Sequence, residues 1–373
     1  MSKRGKILVL LFLLMVMTGC WDQDSLKDAR LANASAFDIT SEGEIKQTLE
    51  IVDDFESQQG SSVNEVHSGT GRSVRQSTDR IRTKVTGDIR FFKYGMILYG
   101  NKLAQNDIYP YLDVLYREPD YPTSHVKIAV VDGDAGDLLH QKRVGSILIG
   151  DFITKKIKSL EELCIFPEMT LETLLPPMLD PGQDFTLPYL YKDGEEIDAR
   201  GIALFHGQRF SGSLNTEQAP LYIIMSGKWN EAARFVKKIH PGPSNNPRNY
   251  VTYEANIEQI KRKLAVKVAN DSQIDVSLQI ELPVTVVEYA MNHLQEKDTI
   301  ERLNSELSDD MTQDAEQIIK TLQHSGCDSF GIGRHLIAHH PDLWKSLNWN
   351  KQYAQVRFHP EVKVTIVGSG VLN

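Results

Sequence analysis

The chain has 373 residues, 41% of them hydrophobic and 24% charged, with a formal net charge of −9, which is too long for one ordinary core and too balanced for wholesale disorder. Three cysteines cannot build a disulfide scaffold for an exported protein of this size, and no C-x-x-C metal spacing occurs. The acidic balance disfavours a nucleic-acid partner, because phosphates need clustered Lys and Arg, and the basic cluster Lys261–Lys263 sits in a strand-like segment where a solvated edge explains it.

The one long apolar run is Ile7–Met17, eleven residues, well short of the ~20 that cross a bilayer. Lys3, Arg4 and Lys6 precede it, and Met17, Thr18, Gly19 and Cys20 follow. A basic start, a short apolar core and small residues before a cut site make residues 1–19 a signal peptide. A small residue directly before Cys in that position is the bacterial lipobox, with Met17 where Leu is commoner. Cys20 is therefore the expected lipidation site, carrying diacylglyceryl and N-acyl groups in place of the cut leader. Each buried CH₂ contributes ~0.8 kcal/mol, and stable anchoring takes two chains. Removing 1–19 takes away three basic residues and no acidic one, leaving the mature chain at −12.

After a polar tether, "LANASAFDIT" reads as a first strand and "EIKQTLEIVDDF" as its partner across a turn. "GSSVNEVHSGTG" (Gly60–Gly71) reads as a Ser/Gly loop. Val74, Thr78, Ile81 and Val85 have helical spacing. "YGMILYG" is a short buried strand, and "NDIYPYLDVLYREPD" is a helix ended by Pro119. "HVKIAVVDGDAGDLL" runs from a strand through a turn into a helix near Asp134, giving an α+β or α/β unit. A further helix ends in a Pro/Gly-rich break at Pro176–Gly182, where the first boundary is placed. Two strands then flank a turn at His206–Gln208, a helix starts after Asn215 with Gln218 placed as in a capping box, and Gly227 ends it. "HPGPSNNPRN" (His240–Asn249) marks a second linker. "QIDVSLQIEL" alternates with Ile274, Val276, Leu278, Ile280 and Leu282 on one face, which predicts a sheet with one packed and one wet face. Ile300, Leu303, Leu307, Met311, Ile318 and Leu322 have the helical spacing to cover the packed face, with Gly326 as the cap. "EVKVTIVGSG" is a closing strand. Cys164 reads as a buried small hydrophobe, and Cys164 and Cys327 either remain reduced or pair.

The segment "DSFGIGRHLIAHHPDLW" (Asp328–Trp344) invites a chemical reading. Its G-x-G follows a helix rather than a strand and lacks G-K-[ST], so a tight interhelical turn is the better reading than a phosphate loop. His335, His339 and His340 have i, i+4 spacing without a Glu-x-x-His pattern or Cys partner. Pro341 suits a helix start, with Trp344 and Trp349 as packing anchors. No G-x-S-x-G elbow occurs, and paired acids such as Asp53/Asp54, Glu161/Glu162 and Glu195/Glu196 read as solvated surface. The residues by themselves outline no active site, no metal site and no cofactor site.

Four segments together resemble one family, the spore germination lipoproteins of the Ger(x)C type, the C subunit of germinant receptors. "GCWDQDSL" (Gly19–Leu26) is similar to the family's lipidated Cys and short acidic tether. The run from Ile89 to Leu139 resembles its N-terminal domain, "GIALFHGQRFSGSLNTEQA" its middle domain, and "DSFGIGRHLIAHHPDLWKSLNW" its C-terminal signature of Asp-x-x-Gly-x-Gly followed by Pro-x-x-Trp. His339–His340 depart from the usual basic pair, and the Arg-rich ending is absent. The resemblance implies an α+β fold of three domains, each a mainly antiparallel or mixed sheet packed by helices. Their expected bounds are 20–182, with Cys20 and the tether, then a small middle domain 183–240, then 250–373. It also implies a non-enzymatic, cofactor-free subunit on the outer face of the inner spore membrane. Its partners would be two polytopic membrane subunits, one transporter-like and nutrient-binding, the other channel-like, with no nucleic acid. Asp328, Gly331, Gly333, Pro341 and Trp344 are the candidate partner contacts. Two rivals are a solute-binding lipoprotein, which needs a concave polar pocket between domains, and a cell-wall hydrolase, which needs two catalytic carboxylates or a metal.

Overall fold

The computed structural model describes residues 29–53, 63–118, 121–239, 246–269, 273–291 and 294–369. The signal peptide, Cys20, the tether and Pro119 lie outside the described residues. Two large mixed sheets packed by helices form the α+β architecture.

The first sheet holds β1 (Ala29–Ile39), β2 (Ile45–Asp53), β3 (Val63–Gly71), β4 (Asp88–Arg90), β5 (Met96–Gly100), β6 (Lys127–Asp132), β9 (Thr186–Asp193), β10 (Glu196–His206) and β11 (Arg209–Leu214), in the order β11-β10-β9-β6-β5-β1-β2-β3 with β4 beside β1. A separate two-stranded ribbon pairs β7 (Arg143–Val144) with β8 (Ile147–Leu148). The central pairs β1/β5, β5/β6 and β6/β9 are parallel, and the outer pairs are antiparallel. The expected pairing of the first two strands is present, Ile39 opposite Ile45. The sheet runs on through Pro176–Gly182, because β9 adds to β6 in parallel. Segment 183–240 therefore supplies three strands to the first sheet, while its later part joins the second core.

β1 is buried on both faces, as a central strand under two helical layers must be. On one side lie α1 (Val74–Arg82) and α2 (Tyr109–Arg117), around Phe37, Leu49, Ile81 and Leu112. On the other lies α3 (Ile149–Glu162), around Ala34, Ala36, Ile149 and Ile153. Segment 63–71 forms β3 rather than the expected loop. Its glycines serve packing: a Cβ on Gly69 would stand 2.5 Å from Ser77 O, and one on Gly71 2.7 Å from Ser77 N. Small residues there let α1 lie directly on the strand. α3 itself has no counterpart among the expected elements. α4 (Leu171–Leu179) carries Pro176 and Pro177 within its last turns rather than stopping before them, and a Thr170/Thr173 capping box opens it.

The second sheet holds β12 (Arg234–Lys238), β13 (Tyr250–Ala255), β14 (Lys261–Val268), β15 (Ile274–Tyr289) and β16 (Arg357–Gly368). β13 and β14 share one edge of β15, antiparallel to it, and β16 runs parallel along the other. The alternation read from 274 to 282 continues to Val286, with Ile274 to Val286 buried at every second position. The long helix α6 (Lys297–His324) covers that face through Leu303, Leu307, Met311, Ala315, Ile318, Ile319 and Leu322; Ile300, expected on this face, is only partly buried. α5 (Ala219–Ser226) joins the same core. The Asn215 and Gln218 side chains cap each other's backbone N–H, and Gly227 ends the helix in the left-handed region at φ +78°.

α6 also closes the free edge of β16. The N–H groups of Val362, Val364 and Ile366 donate to Thr312 Oγ1 (3.0 Å), Ser308 Oγ (2.9 Å) and Asn304 Oδ1 (2.8 Å). These three residues lie one helical turn apart, so one polar row of the helix satisfies alternate donors of an edge strand. An edge so covered cannot recruit another strand.

Candidate functional site: the joint between the two sheets

Beyond α6, Gly326 takes φ +67° and Gly331 φ +71°, and the chain turns into α7 (Ile332–His339) and α8 (Pro341–Ser346). This Asp-x-x-Gly-x-Gly segment meets the end of α4 and the start of β9, and two aspartates stitch the meeting. Asp184 N–H donates to Asp328 O at 3.0 Å, and Asp328 N–H donates to Asp184 Oδ2 at 2.7 Å. Gly207 N–H donates to Asp184 Oδ1 at 2.6 Å. The buried Asp328 carboxylate accepts from Ile332 N–H at 2.9 Å and Gly333 N–H at 2.7 Å. Those donors open α7, so the position where a phosphate would bind a glycine-rich helix start is filled by the chain's own carboxylate.

Backbones touch at this joint. Arg334 N–H donates to Gly182 O at 2.6 Å, and the Arg334 guanidinium pairs with Asp180. A Cβ on Gly182 would lie 2.5 Å from Arg334 N, and one on Gly333 would lie 2.7 Å from Trp349 Nε1. Only glycine fits either position. Across the turn, His206 Nδ1 lies 2.8 Å from Gly326 O and 3.7 Å from Asp184 Oδ2. The carbonyl contact requires the proton on Nδ1.

Burial raises the Asp328 pKa to about 8, against the lowering effect of its two N–H donors. The His206 pKa is raised, chiefly by Asp184. Both groups favour their protonated forms in the folded joint, which is thus held best at mildly acidic pH.

The candidate contact residues divide accordingly. Asp328 and Gly333 are buried and engaged inside the chain, Gly331 is partly buried beside Gln183, Pro341 is exposed, and Trp344 is partly exposed with its ring 5.7 Å from Trp349. The His335 and His339 rings lie tilted against each other with centroids 4.5 Å apart, and burial with the two neighbouring imidazoles lowers the His335 pKa. Among the described residues no group of three His, Cys, Asp or Glu side chains is arranged to hold a metal, and no helix is long and apolar enough to cross a membrane. Cys164 and Cys327 are free, buried thiols, with Cys164 Sγ accepting Asn230 N–H at 3.3 Å. Asp184, Gly182 and Asp180 were hidden from the sequence reading inside "LDPGQD", where Pro and Gly signalled a linker.

Two mixed sheets packed by helices and locked through a buried aspartate joint define a multi-sheet α+β class of protein. A family model described as the spore germination protein N-terminal domain matches residues 22–192, and one described as spore germination B3/GerAC like, C-terminal, matches 200–370. The chain belongs to this GerAC family of spore germination proteins, the family the sequence resembles. It is 23% identical over 370 residues to the spore germination protein GerQC of Bacillus cereus, covering 98% of both chains. It is 20% identical to the spore germination protein B3 of Bacillus subtilis (strain 168), covering all of both. The crystal structure of the GerBC protein shares the fold, with a TM-score of 0.53 at 16% identity, covering 93% of this chain and all of that one.

Proposed function

We propose that this protein is a lipid-anchored, non-enzymatic subunit of a spore germinant receptor complex. The observation that carries the reading is family membership over nearly the whole chain, from residue 22 to 370, together with the Gly19-Cys20 boundary after a short apolar run. Cys20 holds the mature chain on the outer face of the inner spore membrane through its acyl chains. There the domains contact two polytopic membrane subunits and couple nutrient binding to germination. Confinement beside those partners raises effective concentration, so individually weak contacts suffice. Of the candidate contact residues, the exposed Pro341 and part-exposed Trp344 are the ones we assign to a partner surface; Asp328, Gly331 and Gly333 shape the joint that presents them.

The test is Cys20→Ala in the spore. The expected result is a folded protein lost from the membrane fraction, with slowed nutrient germination. Wild-type germination and retention in that variant would overturn the anchor's role. Co-purification of the lipidated chain with its two membrane neighbours checks the partner assignment.

A further inference from the structure

Between α4 and the turn after α5 lies an open cleft of about 710 Å³, within the size range of small-molecule sites. Met169, Pro176 and Pro177 form one wall, Trp229 stands on the other, and Lys228 and Glu168 lie at the rim. The cleft narrows inward to a smaller, partly open space of about 20 Å³ lined by Lys228 and Ser329 and also by Glu168 and Asp184, the Asp184 oxygens being taken by Gly207 N–H and Asp328 N–H; it has room for about one water or a pair of ligand oxygens. Ser329 is buried, and its Oγ meets no partner at hydrogen-bond geometry among the described residues, the Tyr222 phenol and the Cys327 thiol being its polar neighbours.

Lys228 differs from the other desolvated lysines of this protein. Lys127 is buried against Glu161 at 2.7 Å, and Lys237 sits between Asp310, at 3.0 Å, and Asp314. Lys228 makes no ion pair with any described carboxylate and stands exposed at the cleft; partial desolvation lowers its pKa. A cation that makes no ion pair, lining the same small space as a buried hydroxyl without an acceptor, is half of an ion-binding site. The wall of proline, methionine and tryptophan is the other half, for an apolar body. Arg334, which also lines the cleft, is already paired with Asp180, so one unpaired cation remains, and with Glu168 and Asp184 lining the inner space it suits a monoanionic carboxylate better than a dianionic phosphate.

We propose that this cleft binds a small organic carboxylate with an apolar body, its oxygens on Lys228 and Ser329 and its body between Trp229 and the Pro176–Pro177 wall. The site goes beyond the receptor-subunit reading and does not rest on it. Because its two walls come from opposite sides of the joint, an occupant would bridge them.

The test is fluorine NMR of para-fluorobenzoate on the full chain in detergent, with para-fluorobenzamide as the neutral probe of equal shape. The expected result is broadening and saturation for the benzoate and at least about tenfold weaker binding of the benzamide. Lys228→Met should weaken benzoate binding by about tenfold or more and Ser329→Ala by a smaller factor, each with an unchanged melting curve; Glu168→Gln should leave it equal or tighter. Absence of benzoate binding, equal binding of both probes, wild-type binding by a folded Lys228→Met, or weakening by Glu168→Gln would overturn the proposal. Any of these leaves the Cys20→Ala result untouched, so the two readings fail separately.

Discussion

The two sheets face the same problem, unsatisfied backbone groups at helix starts and strand edges, and solve it with different chemistry. The N-terminal sheet uses buried acids. Glu50, fully buried on β2, accepts from Gly150 N–H at the start of α3 (2.9 Å), from Asn33 (3.0 Å) and from Asn64 (2.9 Å). Asp38, buried on β1, accepts Ala135 N–H at 2.7 Å and Gly136 N–H at 2.9 Å. The C-terminal sheet pairs charges across its wet face, as in Lys261–Glu281 at 2.8 Å, or against α6, as in Lys237 with Asp310 and Asp314, and satisfies its covered edge with the neutral Asn304, Ser308 and Thr312 row. The reason lies in layering. A sheet buried on both faces has no water to solvate the helix ends docked on it, so ionisable side chains inside the strands must meet them. A one-sided sheet leaves such groups to solvent.

The largest expected effect comes from breaking the first scheme. Glu50→Ala leaves the buried Gly150 N–H without its acceptor and takes one of two acceptors from each of Asn33 and the part-buried Asn64; it should cost about 4 kcal/mol, measured by urea unfolding. Asp328→Ala orphans two donors at the joint and should cost about 3 kcal/mol; loss of protection in 180–184 and 328–336 by hydrogen exchange would identify the joint as the part released. Gly69→Ala forces α1 off β3 and should cost about 2 kcal/mol, while Gly43→Ala, with open space around its Cβ, should cost less, leaving only the strain of its φ of +81°. In the second scheme, Ser308→Ala removes the acceptor for Val364 N–H and should cost about 1 kcal/mol.

The smallest effect is a pH trend that separates the two regions. Asp38, Glu50 and Asp328 all have pKa values raised above their ordinary values, first by burial. A raised carboxyl contributes stability that is complete below the unfolded pKa and is lost as pH rises through the folded one. For Asp328 that window runs from the ordinary value of 3.8 to about 8. Hydrogen-exchange protection of the first sheet and the joint should therefore fall as pH rises across this window, after correction for intrinsic exchange, while the second sheet holds. Asp328→Asn should flatten the trend at the joint; an unchanged slope would contradict the assignment.

What could be read beforehand follows the same division. The alternation of β15 and the stripe of α6 were legible, because one-sided burial writes a period of 2 or 3.6 into the residues. β3 reads as a loop because its Gly69 and Gly71 serve close contact with α1 rather than strand propensity. α3 escapes because its first turn packs its own Gly150, which carries no apolar signal, against the small Ala34 of β1. Of the joint, Asp328 and the glycines after it stood out as a pattern, but their role as an internal clasp depended on Asp184, which is 144 residues away in the chain.

The sequence alone determined the local matters: the Gly19-Cys20 pair after a short apolar run, the one-sided strands and the capped helices. Each of these rests on neighbours within a few residues, where spacing and residue type suffice. Tertiary structure alone decided that 183–214 completes the first sheet, that two aspartates fasten the halves, and that Lys228 and Ser329 face one cleft. Such pairings depend on which distant segments come within hydrogen-bonding reach, and no local periodicity encodes that.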